Sequence, residues 1–97
     1  MKATEKQIQY LVYKLQDYAM IPTDDSVESY WTYENITRPE SIKRCSDIWE
    51  KAFGTRIEDL DKKAMENILD IFTPSSFTLN KAKRERLANK LSKFIEE

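Results

Sequence analysis

The stretch TEKQIQYLVYKLQDYA, residues 4–19, decides the fold class because it contains both the start and the apolar face of an α-helix. Thr4 and Gln7 match the capping pattern T-x-x-E/Q, in which two side chains satisfy free backbone amides of the first helical turn. The residues that follow at helical spacing form a single apolar stripe: Ile8, Leu11, Val12, Leu15, Tyr18 and Ala19. The stretch therefore predicts an amphipathic helix, which Pro22 closes.

The same capping pattern predicts two further helix starts. TRPE at 37–40 precedes an apolar stripe that ends at Gly54, the only glycine, where a left-handed C-cap is expected. TRIE at 55–58 precedes a wide apolar face that Thr73 and Pro74 end, and this face predicts the central, most buried helix. Each start is expected at the Thr of its pattern.

A fourth helix is predicted from about Asn80 to near the C-terminus, and Phe77 and Leu79 before it are expected to pack against the bundle. One set of apolar residues, drawn from all four helices, is the expected core: Ile8, Leu11, Leu15, Ile48, Trp49, Leu60, Ile68, Leu87, Leu91 and Phe94. The sequence thus predicts an all-α fold, a compact bundle of about four helices with one irregular aromatic and acidic connection.

Composition agrees with that fold class and limits the function. The 97 residues predict one domain, 1–97, and no apolar run approaches the roughly 20 residues of a membrane span or the core of a signal peptide. The single cysteine, Cys45, indicates a reducing compartment, so we expect a soluble cytoplasmic protein. The chain has no His and only one Gly, which removes the commonest general base, the commonest metal ligand and any phosphate-binding glycine loop. We therefore expect no catalysis, no cofactor and no metal.

The connection contains the stretch DDSVESYWTYEN, residues 24–35, in which three aromatic side chains lie among four carboxylates. We expect a short helix or turn followed by an extended link. Trp31 and one Tyr could plug the end of the bundle, because Trp is highly buried on average. Alternatively, the aromatic and acidic side chains form a protein-binding surface. The candidate partner-binding residues are Asp24, Asp25, Glu28, Tyr30, Trp31, Tyr33 and Glu34.

Charge is distributed unevenly along the chain. Residues 23–74 carry seven Lys or Arg against twelve acids, whereas residues 75–97 carry six against three. In the last helix a basic row recurs at spacings of 3, 4 and 3 and projects from one side: Lys83, Arg86, Lys90 and Lys93. This basic row could contact nucleic-acid phosphates, or it could be a solvated helix face whose cations suit the C-terminal end of the helix dipole.

ATEKQIQYLVYKL, residues 3–15, resembles the opening helix of small helical proteins of bacteriophages and mobile elements of Gram-positive bacteria. FTLNKAKRERLANKLSKF, residues 77–94, is similar to the second helix of such proteins, with Leu79 and Lys81 near the expected places. The resemblance implies a setting in which small non-enzymatic proteins bind and inhibit host or defence proteins. We expect a non-enzymatic protein-binding module that inhibits a host or defence nuclease complex in the manner of an anti-CRISPR protein, through the acidic and aromatic surface of residues 24–34. The alternative is a nucleic-acid-binding accessory protein that uses the basic row.

Overall fold

The first helix, α1, covers Glu5–Asp17 in the computed structural model, which describes residues 1–23, 37–73 and 78–95. Its capping box forms as predicted: the Gln7 amide donates to the Thr4 hydroxyl at 3.2 Å, and the Thr4 amide donates to Gln7 Oε1 at 2.9 Å. Leu11 and Leu15 are fully buried. The helix ends at Asp17, ahead of Pro22, and Ala19 then takes a left-handed conformation with φ of 56°.

The second helix, α2, covers Pro39–Phe53, and its predicted N-cap at Thr37 is wrong by one residue. Arg38 is the N-cap and its side chain makes no capping hydrogen bond, because Pro39 holds the residue before it in an extended conformation and occupies the first helical position itself. Glu40 therefore stands at the second helical position instead of the third, out of register for a capping box. The other end is as predicted, since Gly54 caps it with φ of 79°.

The predicted start of the third helix at Thr55 is also wrong. Ile57–Asp59 form a 3₁₀ turn, Leu60 is extended, and the helix α3 covers only Lys62–Asp70, with the Asp61 carboxylate accepting from the Lys63 amide at 3.1 Å. The interruption follows from pairing with the N-terminal segment. The amide of Ala3 donates to the Leu60 carbonyl at 2.9 Å, and the amide of Lys62 donates to the Met1 carbonyl at 2.7 Å.

The fourth helix, α4, covers Lys81–Ser92 and is fastened to the end of α3. The Asn80 side chain donates to the Asp70 carbonyl at 3.3 Å, and Arg84, only 7% exposed, donates to the Ile71 carbonyl at 2.8 Å. These bonds join the start of α4 to backbone carbonyls at the end of α3. Leu79 is 85% exposed, so the expectation that it packs against the bundle is wrong. Phe77 lies outside the described residues.

The core lies between the four helices, and the predicted all-α fold is confirmed. The described ranges contain no β-strand, only an isolated bridge between Lys2 and Asp61. The predicted core residues that are buried are Leu11, Leu15, Trp49, Leu60 and Leu91, and the half-buried ones are Ile8, Ile48, Ile68, Leu87 and Phe94.

The central helix is α2, because it contacts α1, the 3₁₀ turn and α4. The expectation that the third helix is central is therefore wrong, and Met65 is the only fully buried residue of α3. Within the described parts of the chain, no helix has the length and apolar character needed to cross a membrane.

Candidate functional site

An open apolar groove of about 400 Å³ lies on the surface between α2, α3 and α4. Its apolar lining comes from four separate elements and comprises Trp49, Phe53, Leu60, Ile68, Ile71 and Leu87. Thr55 and Asn67 supply the polar part of the lining. No described lining residue carries an ionisable side chain, so the groove offers shape and apolar contact and no group for proton transfer at neutral pH.

Phe53 is the aromatic wall of the groove. It is the last residue of α2, and its side chain is 38% exposed. Its ring centroid lies 4.4 Å from that of Trp49, which is only 3% exposed. An apolar ring left partly in water beside a buried one is available for further burial, which is favourable in proportion to the apolar area removed from water.

Trp49 also carries an unusual polar group. Its indole Nε1 is buried and has no hydrogen-bond partner among the described residues. A buried donor without an acceptor costs free energy, about 1–3 kcal/mol. The indole therefore contributes apolar surface at this position and no hydrogen bond to the described residues.

The break between the 3₁₀ turn and α3 also shapes the groove. Leu60 stands in that break and is 8% exposed, while Ile68 and Ile71 on α3 are half-buried. A continuous helix from Thr55, as the capping pattern predicts, would place Leu60 and Ile68 on one straight helical face. The groove thus depends on the pairing of Leu60 with the N-terminal segment.

The predicted basic row lies on α4 and at its C-cap, Lys93, and all four of its side chains are exposed. Lys83 and Lys90 stand one helical turn before and after the lining residue Leu87. The Lys90 ammonium lies over the Phe53 ring, 4.7 Å from its centroid. Within the described parts of the chain, no acidic side chain forms an ion pair with any of the four cations.

Some other cations in the described ranges form ion pairs. Arg56 is the strongest case: its guanidinium lies 2.7 Å from Asp47 and 3.4 Å from both Glu50 and Glu58. The hydrogen bond from Arg56, followed by that from Lys43, lowers the pKa of Asp47. These pairs fasten the 3₁₀ turn to α2 and leave their carboxylates engaged with cations.

Glu58 and Cys45 also have a shifted pKa. Burial acts to raise the pKa of Glu58, but hydrogen bonds from Ser46 and from the backbone, together with Arg56, lower it overall. Burial raises the pKa of the Cys45 thiol to about 12, with the charge of Arg44 opposing. A thiol with so high a pKa stays protonated at neutral pH and is a poor nucleophile.

A second aromatic cluster lies on α1, where the Lys14 ammonium is 5.3 Å from the ring centroid of Tyr10 and 5.4 Å from that of Tyr13. Tyr10 is 37% exposed, close to the value for Phe53. It lies away from the groove lining and therefore provides a matched control position for Phe53.

The predicted partner-binding residues Asp24, Asp25, Glu28, Tyr30, Trp31, Tyr33 and Glu34 lie outside the described residues, so their assignment stays a prediction. The short helix or turn expected in that stretch lies there too. Among the described residues, no group of three or more His, Cys, Asp or Glu side chains is arranged to hold a metal ion.

Four of the groove residues were predicted from the sequence as core, and the groove itself was not predicted. Trp49, Leu60, Ile68 and Leu87 were expected to be inside the bundle, and Phe53 and Ile71 were placed on apolar stripes. The one available signal was Phe53 next to Gly54, because a large apolar residue at a helix terminus is easily left uncovered.

Comparison with known proteins adds no relative to this account. No protein-family model matches the sequence, and neither curated proteins nor solved structures give a significant match.

Proposed function

We propose that this protein is a non-enzymatic binding module for another protein, and that the groove between α2, α3 and α4 is its binding surface. The observation that carries the proposal is the exposed Phe53 ring in an apolar groove of about 400 Å³. Grooves of this size and character accept large apolar side chains of a partner segment. Burial of such side chains supplies most of the binding free energy at protein interfaces.

The specific form of the proposal is inhibition of a host or defence nuclease complex, in the manner of an anti-CRISPR protein. The resemblance of the first and last helices to phage and mobile-element proteins supports it, as does the acidic and aromatic composition of residues 24–35. That segment would form a second contact surface. Both supports come from the sequence, so this form stays a prediction.

Selection from a library of displayed random peptides tests the groove as a binding surface. Phe53→Ala removes the aromatic wall, and Asn67→Arg places a long charged side chain at the groove while altering only an exposed residue. Tyr10→Ala is the matched control. We expect peptides that bind the unchanged protein and the Tyr10→Ala variant and that bind neither groove variant, while thermal unfolding of Tyr10→Ala and Asn67→Arg stays close to that of the unchanged protein. Peptides that bind all the variants equally would contradict the proposal.

A second candidate function is binding of nucleic acid through the basic row. The exposure of Lys83, Arg86, Lys90 and Lys93 favours it, together with their lack of ion pairs with any described acidic residue. Neutralising these four residues should weaken binding of any DNA or RNA sequence and reduce its salt dependence, because each phosphate contact releases counterions. Absence of DNA and RNA binding by the unchanged protein at low salt would exclude this candidate.

A further inference from the structure

The charge beside the groove specifies the partner more narrowly than its apolar lining does. Lys83 and Lys90 flank Leu87, and Arg86 stands on the same exposed side of α4. No acidic side chain in the described ranges pairs with these cations, which is also true of the exposed Lys6 and Lys63. Of all these cations, only Lys83 and Lys90 stand one helical turn from the apolar groove residue Leu87. The groove therefore has a positively charged edge whose neutralising charge is not supplied by the described part of the chain.

From this arrangement we infer that the groove binds an acidic peptide segment of the partner protein, in which one or two large apolar side chains are flanked by Asp or Glu. The apolar side chains enter between Phe53 and Ile68, and the carboxylates lie against Lys83 and Lys90. Complementary charge at the edge of an interface raises the association rate and selects among partners. The inference rests on the proposed function, because it assigns a chemistry to the occupant of the same groove.

The groove favours an acidic peptide over nucleic acid as the ligand of these cations. A nucleic acid would contact the basic row through its phosphates, and these contacts would leave the apolar lining of the groove exposed. An acidic peptide with apolar anchors uses both the lining and the cations.

The test compares the charge of groove-dependent peptides with the charge of the unselected library. Groove-dependent peptides are those that bind the Tyr10→Ala variant and do not bind the Phe53→Ala or Asn67→Arg variant. We expect them to carry an excess of Asp and Glu next to Leu, Phe or Trp. Their affinity should fall as the salt concentration rises from about 50 to about 500 mM, because salt screens the attraction between exposed charges.

Charge reversal supplies the second readout. Lys83→Glu and Lys90→Glu should each weaken binding of the selected peptides about five- to tenfold, because an attraction is replaced by a repulsion. Lys6→Glu makes the same change of charge at an exposed position of α1 outside the groove lining, and it should leave the affinity within about twofold. Peptides in which Lys replaces the acids should regain binding to the two Glu variants.

The outcomes separate this inference from the proposed function. Groove-dependent peptides without an acidic excess, or ones that bind Lys83→Glu and Lys6→Glu equally, would overturn the inference and leave the proposed function standing. Failure to obtain any groove-dependent peptide would overturn the proposed function itself. The unchanged protein could instead bind a random-sequence DNA duplex at physiological salt, roughly 150 mM, and lose that binding in the Lys83→Glu variant. This result would assign the basic row to nucleic acid and would also overturn the inference.

Discussion

Tyr10 on α1 and Phe53 on α2 are exposed to nearly the same extent, 37% and 38%, and each has a lysine ammonium over its ring. The two lysines come from different places. Lys14 lies four residues after Tyr10 on the same helix, with its ammonium 5.3 Å from the ring centroid. Lys90 reaches Phe53 from α4, with its ammonium at 4.7 Å. A contact within one helix stabilises that helix, whereas a contact between two helices also determines the shape of the surface between them.

The same difference holds for the aromatic neighbours of the two rings. Tyr10 lies 6.4 Å from Tyr13 of its own helix, measured between ring centroids, and Tyr13 is half-buried. Phe53 lies 4.4 Å from Trp49, which is almost fully buried in the core. The Phe53 cluster therefore connects the interior of the protein to the groove, and changes within it should affect both stability and binding.

The largest expected effect is that of Trp49→Ala. Loss of a large buried aromatic side chain leaves a cavity, and we expect the free energy of unfolding to fall by about 3–5 kcal/mol. Tyr13→Ala, the equivalent change in the α1 cluster, should cost less because Tyr13 is half-buried. Urea denaturation of both variants measures the difference. Equal losses would show that the two clusters are equally connected to the core.

The next largest loss of stability is expected at the groove lining, where Leu60 and Ile68 can be compared. Leu60→Ala should cost about 2–5 kcal/mol because Leu60 is 8% exposed. The sequence predicts that Ile68 is equally buried, but it is half-buried. Ile68→Ala should therefore lower the free energy of unfolding by about half as much as Leu60→Ala. The same urea denaturation checks this order. A larger loss for Ile68→Ala would mean that the groove is closed in solution.

Helix capping gives a smaller effect, of about 1 kcal/mol. Thr4→Ala should lose this amount because the Thr4 hydroxyl caps α1, whereas Thr55→Ala should stay within about 0.5 kcal/mol because Thr55 caps no helix. The two Thr residues begin the same four-residue pattern, so the pair is a matched comparison. Thermal unfolding of the two variants measures it, and equal shifts of Tm would contradict the assignment of the caps.

These capping patterns show which parts of the fold the sequence can predict. The cap of α1 depends on Thr4 and Gln7 alone, and it was predicted correctly. At the start of α2, Pro39 moves the cap by one residue. At Thr55, the helix gives way to a 3₁₀ turn because the Leu60 carbonyl and the Lys62 amide bond to the N-terminal segment, about 60 residues away along the chain.

The groove could not be predicted for the same reason. Tyr10 and Lys14 are paired by helical spacing, which is visible in the sequence. Phe53, Leu60 and Leu87 belong to three elements, and only the packing of α2 against α4 and the break at Leu60 bring them together. The basic row was visible from its spacing, but its position beside an apolar groove was not.

The stability that the Asp47–Arg56 ion pair contributes should depend on pH, whereas the stability contributed by the two aromatic clusters should not. The pKa of Asp47 is lowered in the folded protein by Arg56, so the stabilisation is present above the unfolded value, near pH 4, and is lost as the pH falls through the folded value. The loss should be at most about 1 kcal/mol because the Asp47 side chain is 41% exposed. Arg56→Gln should reduce this acid dependence, whereas Lys14→Gln and Lys90→Gln should leave it unchanged. Urea denaturation measures this pH dependence of the free energy of unfolding, over a range from about two pH units below to about three above the unfolded pKa of Asp47. An acid dependence that Arg56→Gln leaves intact would contradict the role of this ion pair.

The most direct test of the groove is a titration of the isotope-labelled protein with a peptide selected for groove-dependent binding, followed by NMR. We predict that the largest changes in amide chemical shift occur at Phe53, Ile68 and Leu87, with smaller ones at Lys83 and Lys90. The amides of Tyr10 and its neighbours should be unaffected. The largest shifts at residues 24–34 would instead assign binding to the acidic and aromatic segment. Shifts centred on Tyr10, or spread evenly over the protein, would contradict the claim that the groove is the binding surface.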